Sequence, residues 1–304
     1  MTTERPPTID PAAARHWMQL PSPSSAWLHE EVGRRMAARL DWIVQPPSRW
    51  LDWEPLRGGM QVHEEVRQRY PDARCFLVES SQARLDQLGE RLAKPWWHPA
   101  RWRTASRQNL GLEPPAGQTQ MLWANMALHM SADPQRLIAQ WHRALAVDGF
   151  LMFSCFGPDT LRELRDIYGA LGWPPPAHAF TDMHDWGDML VQAGFAQPVM
   201  DMERIELSFE TPQRLVQELR ELGRNLHPQR FGGLRGRGWQ ARLMRELAKL
   251  ADPAQQGRLK LGFEIIYGHA IKPAPRQALS GAQTFSLEQM RDALTNRKPS
   301  QESV

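Results

Sequence analysis

Apolar positions along the chain switch repeatedly between helical and strand spacing. Over Ala26–Val44, Leu28, Val32, Met36, Leu40 and Ile43 recur at the interval of an amphipathic helix. Pro46 and Pro47 end that run, because the proline ring cannot continue a helix. Arg49–Trp53 is a short apolar run and a candidate strand. Gly58 and Gly59 follow, and Gln61–Arg69 reads as helix. Pro71 and Asp72 make a turn before Arg74–Glu79, a buried strand, and Gln82–Leu92 is helical again. Lys94–Arg103 is a Trp- and Pro-rich connection with room for a short strand. The alternation then becomes more regular, with strand Gln120–Ala124, helix Pro134–Leu145 behind an Asp133 cap, and strand Phe150–Phe156 after a turn at Asp148 and Gly149. Helix Pro158–Leu171, a short helix Asp185–Ala193 closed by Gly194, and strand Val199–Phe209 come next. Helices Pro212–Leu222 and Trp239–Leu250 flank a Gly/Arg loop, and Leu259–Ile271 is a last strand.

Strand–helix alternation over residues 49–195 predicts parallel βαβ units with helices on both faces of the sheet. The fold class is therefore α/β, a doubly wound, mostly parallel seven-stranded sheet, with helices inserted before the last strand. Ligands in such sheets bind at the carboxyl ends of the strands. The chain divides into an N-terminal helical segment (1–48, with a short helix near Pro11–Met18), an α/β core (49–210), a helical cap (211–258), a returning strand (259–273) and a polar, mobile tail (274–304).

Composition narrows the class. With two cysteines, Cys75 and Cys155, there is neither a disulfide framework nor a Cys-rich zinc site. The N-terminus has no apolar leader and no stretch is long enough to span a bilayer, so a reduced, cytoplasmic protein is expected. Thirteen tryptophans point to core and groove lining. The charge of +3 hides an uneven distribution: residues 211–250 hold 9 basic and 3 acidic side chains, leaving 28 basic and 31 acidic elsewhere. A basic cap on a slightly acidic body suits an acidic partner. A solvated helix face is the plainer reading, and no nucleic-acid reading motif accompanies the charges.

Several segments carry a family likeness: WANMALH over 123–129, LAVDGFLMFS over 145–154, FGPDTLREL over 156–164, DMHD over 182–185 with Gly187 and Asp188, Gly194 with Phe195, and YGH over 267–269. Together with the order of elements and the segments at 50–59, 79 and 120–156, they resemble a class I S-adenosylmethionine-dependent methyltransferase. More narrowly, residues 120–272 look like the malonyl-carrier-protein O-methyltransferase of biotin synthesis (the BioC family).

The resemblance implies S-adenosyl-L-methionine as cofactor. It places Asp52, Gly58, Gly59, Glu79 and Gln108 around it, with Glu79 accepting both ribose hydroxyls. Asn125 and His129, beyond the fourth strand, would face the transferring methyl as the catalytic pair. Arg220, Arg224, Arg235 and Arg237 would meet malonyl-loaded acyl carrier protein, an arginine reaching the malonyl carboxylate. No metal, nucleic acid or membrane is implied, and a monomer is expected. The cluster of His178, Asp182, His184, Asp185 and Asp188 is read as capping, since only His184 and Asp188 share a helix face and Asp182 suits a helix start.

The sequence also departs from the family pattern. Glu54 and Leu56 stand where the first two glycines of the cofactor loop belong, Pro55 removes an N–H, and Gln120 replaces the acid that often opens the fourth strand. Two alternatives to an early step of biotin synthesis therefore stand: a pseudoenzyme that keeps the fold and binds a carrier or other acidic partner, and a methyltransferase for another carboxylic acid.

Overall fold

The computed structural model describes residues 9–22, 24–93 and 107–275. Its first element, α1 (Pro11–Gln19), is capped by Asp10, whose carboxylate accepts the N–H groups of Ala12 and Ala13. Helix α2 (Trp27–Ala38) gives way to a 3-10 turn at Arg39–Trp42. It is shorter than its apolar pattern predicted, because Trp42 and Val44 point into solvent and do not extend the buried stripe.

The core then runs β1 (Arg49–Trp53), α3 (Pro55–Gly58), α4 (Met60–Arg69), β2 (Arg74–Val78), α5 (Gln82–Leu92), β3 (Gln108–Gly111), β4 (Thr119–Ala124), a 3-10 turn at Leu128–Met130, α6 (Pro134–Ala144), β5 (Leu145–Phe156), α7 (Arg162–Ala170), α8 (Met183–Gln192) and β6 (Ala196–Phe209). Helices α9 (Pro212–Leu222) and α10 (Arg237–Ala248) form the cap, followed by the two-residue β7 (Ala251–Asp252) and β8 (Arg258–Ile271).

The strand order is β3-β2-β1-β4-β5-β8-β6, with β7 added beside β8. The first five strands run parallel, and β8 lies antiparallel between β5 and β6. Helices cover both faces. Leu28, Val32, Met36, Val62, Val66 and Leu164 pack on one side, and Ile138, Trp141, Trp186 and Leu190 on the other. The sheet is thus the doubly wound one that the alternation predicted. The described residues from Ile9 to Pro273 form one compact unit. The Lys94–Arg103 connection and the tail from residue 276 lie outside the described residues. Among the described residues no helix is long and apolar enough to cross a membrane.

The helix expected from Pro158 begins only at Arg162. The turn before it is held across the sheet by Glu264 of β8. The Glu264 carboxylate accepts the Asp159 N–H at 2.6 Å, and its carbonyl accepts the Gly157 N–H at 2.9 Å and the Thr160 hydroxyl at 3.0 Å. Leu161 then takes a left-handed conformation, φ 59°. The segment FGPDTLREL is therefore a buckle between β5 and β8. Nearby on β8, Gly268 lies flat against the Phe153 ring, where an added methyl would overlap it. We expect Gly268→Ala to lower stability by about 1–3 kcal/mol, since core overpacking costs that much. Urea unfolding checks this, and an unchanged midpoint would contradict it.

Candidate functional site

The carboxyl ends of β1, β2, β4 and β5 converge under the N-terminal segment. The turn after β1 is strained at its first residue: Glu54 adopts φ 53°, a region natural to glycine. Its N–H donates to Val78 O at 2.7 Å, which fixes the turn to β2. Leu56, at the second glycine position of the family pattern, is fully buried. Gly58 and Gly59 are both sterically required, but protein fills the space beside them. A Cβ on Gly58 would come within 2.9 Å of Asn125 O, and one on Gly59, whose φ is 135°, within 2.7 Å of a Glu30 carboxylate oxygen. That carboxylate accepts the Gln61 and Val62 N–H groups, capping α4 from α2.

Three of the expected site residues turn out to be tied to other protein groups. Asp52 faces His63, with Oδ2 2.6 Å from Nδ1, both side chains buried, and Gln108 meets the other ring nitrogen at 3.1 Å. Asp52 and Gln108 thus clamp one imidazole between β1, α4 and β3. Burial raises the Asp52 carboxyl above its ordinary value, against the opposing pull of the His63 hydrogen bond. Asn125 is a strut: its amide donates to His29 O and Gly58 O, and its oxygen accepts the Ser154 hydroxyl at 2.6 Å. Both amide N–H donors are thus committed to backbone carbonyls.

Glu79 does sit where the second strand ends, and no part of it is exposed. Oε1 accepts the Leu56 N–H at 3.0 Å, while Oε2 has no hydrogen-bond partner among the described residues and lies 4.0 Å from the Arg84 guanidinium. Arg84 is also wholly buried. It donates to Glu54 Oε2 at 3.2 Å, to Ser80 Oγ at 2.9 Å, and to the carbonyls of Trp17 and Leu20 at 3.0 and 3.3 Å. Ser81 and Gln87 of the same region bind Met18 O and Ser22, so the segment from Trp17 to Ser22 is closed over the notch. A carboxylate that holds a ribose must offer both oxygens. Here Oε1 accepts the Leu56 N–H and Oε2 is buried 4.0 Å from Arg84, so in this arrangement the protein itself closes over both oxygens.

Open space lies to the side, between the N-terminal segment and the cap. A cavity of about 490 Å³ is lined by Trp17, Ser22, His29, Arg57, Arg220 and Arg224, among others. Trp17 is flanked by two guanidinium groups, Arg57 at 3.5 Å and Arg224 at 5.2 Å from its ring centre. Arg57 also donates to Trp17 O at 2.7 Å. Burial, with the Arg84 charge beside it, pushes the Arg57 guanidinium down to about 9, and burial and Arg220 lower that of Arg224. Crowded, part-desolvated cations of this kind favour an anion.

A second cavity, of about 100 Å³, shares Arg224 and is lined by His129, Phe156, His178 and Phe180. The structure therefore brings Arg220 and Arg224 to one cavity, although Arg224 stands beyond the end of α9 and not on its face. Arg235 is stacked on Trp239 and Phe231, and Arg237 heads α10; neither lines these cavities. Asp182 caps α8 by accepting the His184 N–H, and His178 lies apart from it, buried.

Trp17, Glu30, Arg57 and Arg84 are the residues sequence reasoning missed. The available signal was charge balance, since an acid in a glycine position beside a second buried acid demands a cation.

No protein-family model matches the chain. It is 37% identical over 270 residues to a malonyl-[acyl-carrier protein] O-methyltransferase of Gallionella capsiferriformans, covering 85% of this chain and 89% of that protein. It is 38% identical to the protein of the same name from Laribacter hongkongensis, over 83% and 85% of the two chains. In structure it is similar to YcgJ of Bacillus subtilis, with a TM-score of 0.51 at 12% identity over 79% of this chain and 99% of that one. It is similar also to a putative methyltransferase of Bacillus halodurans, with a TM-score of 0.50 at 13% identity over 78% and 98%. At such identities the likeness is one of fold.

The closed notch has a pH signature. Burial, then the neighbouring Glu54 charge, push the Glu79 carboxyl up from its ordinary 4.5 to about 8, against the opposing effects of Leu56 N–H and Arg84. Between those values the folded protein keeps a proton that the unfolded chain has lost, so stability falls as pH rises from 4.5 to 8 and levels off above. Relative to Glu79→Gln, which cannot titrate, wild type should lose roughly 3–6 kcal/mol across that window. Parallel urea-stability curves for the two proteins between pH 5 and 8.5 would contradict it.

Proposed function

The chain belongs to the malonyl-[acyl-carrier protein] O-methyltransferase family, and from that membership we propose that it methylates the free carboxylate of a malonyl thioester carried on acyl carrier protein, an early step of biotin synthesis. S-adenosyl-L-methionine is the methyl donor in this reading. The observation that carries it is the identity of 37% across nearly nine-tenths of a relative of that name. The cavity beside Trp17 supports the choice of acceptor.

A malonyl carboxylate is already ionised at neutral pH, so it needs no base to become nucleophilic. What the protein must supply is a place to hold it, and orientation of the reacting group is a large part of such catalysis. Arg57, Arg220 and Arg224 line one cavity and offer forked donors to a carboxylate. Neutralising that charge by methylation releases the product from the same arginines. The basic surplus of residues 211–250 suits docking of an acidic carrier.

A second reading is favoured by one specific observation, the closure of the Glu79 notch by Leu56, Arg84 and the Trp17–Ser22 segment. In it the chain keeps the fold and the carrier-binding cap but no longer binds the donor. Calorimetric titration with S-adenosylmethionine and S-adenosylhomocysteine separates the two. Saturable binding is expected for the enzyme; absence of heat at about millimolar ligand with a folded protein establishes the second reading.

Substrate recognition has its own test. With malonyl-pantetheine as a carrier-free acceptor, Arg224→Gln should raise KM about 10- to 100-fold with little change in kcat, as expected for a lost charge-assisted hydrogen bond. Arg237→Gln should leave KM within about 3-fold, since bulk-exposed charges contribute little. Equal KM values for the two variants would remove the arginine cavity from the account.

A further inference from the structure

The smaller cavity is built differently from its neighbour. Phe156, Phe180 and Phe263 wall it with Leu161, Leu164 and Leu222, and its polar lining includes two histidines, 5% and 4% exposed. His178 Nε2 lies 2.9 Å from the His129 carbonyl oxygen, so that nitrogen carries the proton and Nδ1 is left as an acceptor. His178 Nδ1 and both ring nitrogens of His129 are buried without a partner among the described residues.

The rings are held by aromatic edges: His129 stands 4.6 Å from Phe156 and 5.8 Å from Phe180, and His178 stands 4.8 Å from Phe180. Burial pushes His129 well below the ordinary histidine value, and His178 down to about 4. Both are therefore neutral at physiological pH. A neutral imidazole always has one N–H to give, and an unpaired buried donor is costly. Such a chamber suits an uncharged polar group flanked by carbon, and its shared wall at Arg224 suits a carboxylate a few bonds away.

We propose that this chamber receives the thioester end of the acyl substrate, with His129 donating a hydrogen bond to the thioester carbonyl oxygen while Arg224 holds the carboxylate. His178 is a positioning residue: its Nε2–H fixes the backbone from which His129 projects. The proposal rests on the reading above that a malonyl thioester is the acceptor, and it adds what distinguishes a thioester from any other small carboxylic acid. The arginine cavity recognises one end of the molecule and the imidazole chamber the other.

The test compares two ligands by calorimetry: malonyl-pantetheine and S-(2-carboxyethyl)pantetheine. The second keeps the carboxylate, the chain length and the sulfur but has a methylene in place of the thioester carbonyl. Wild type should prefer the thioester by about 5- to 20-fold, the contribution of one hydrogen bond. His129→Phe, which keeps an aromatic ring, should bring the ratio within about 2-fold while leaving thioether affinity unchanged, and His129→Gln, which keeps a donor, should restore part of the preference.

In wild-type protein labelled with 15N-histidine, the His129 ring signals should shift on adding the thioester and not the thioether. This readout does not depend on any variant folding. Equal affinity of wild type for the two ligands, or a preference that survives His129→Phe, overturns the chamber assignment while the malonyl reading stands. Binding of neither ligand overturns the malonyl reading, and the chamber assignment with it.

Discussion

A guanidinium without exposed surface must have its charge balanced and its donors met, or it costs several kcal/mol. Arg84 meets that demand by gathering groups from three stretches of the chain: the carbonyls of Trp17 and Leu20, the Glu54 carboxylate at the end of the first strand, and the Ser80 hydroxyl. The N-terminal segment, the turn after β1 and the start of α5 are thereby locked into one unit. The acid at a glycine position makes sense in that light. Glu54 brings a negative charge into a tight turn, and the fold answers it with a cation from α5, the helix after β2. Arg57 lies over the Trp17 ring and donates to the same carbonyl, so that carbonyl is held by two guanidinium groups.

Most of the fold was legible because the sheet interior is written in short apolar runs. β1, β2, β4 and the ends of β5 and β8 lie within a few residues of the patterned segments. What escaped lacks a local signature. α3 is four residues long and has no period. β3 is half exposed and carries no apolar run. The late start of α7 is dictated by Glu264, 105 residues away from the Asp159 amide it holds. In the site, spacing singled out Glu79, which ends β2 in a buried notch, and Arg224, which lines both cavities. It could not show which way Asp52, Gln108 or Asn125 turn, because a neighbour on another element decides that: His63 for the first two, and Gly58 with His29 for the third.

The two cavities divide the chemistry of recognition by charge. Around Trp17, arginines crowd together close to solvent, where a charged ligand can enter and leave. Around His129, aromatic rings and leucines form most of the wall, and the two histidines are held neutral by burial. Arg224 belongs to both walls, so a ligand that spans them is measured at two points whose preferences are opposite. A group that suits one chamber is penalised in the other, which makes the boundary between them a filter for orientation as well as for identity.

The strand β8 is the last element of the core in the sequence, yet it lies inside the sheet, paired with β6 from Leu259 to Ile271 and with β5 from Ile265 to Ile271. While the chain is being synthesised, those two long edges have no partner until residues 258–271 leave the ribosome. The buckle through Gly157, Asp159 and Thr160 cannot close before then either, because its anchor is Glu264. Open edges of this length are sites for association with other chains, and pairings so distant in sequence form slowly. Synthesis rate and chaperone capture before β8 emerges therefore bear on the yield of folded protein, and a truncation that removes β8 leaves β5 and β6 as two unjoined borders.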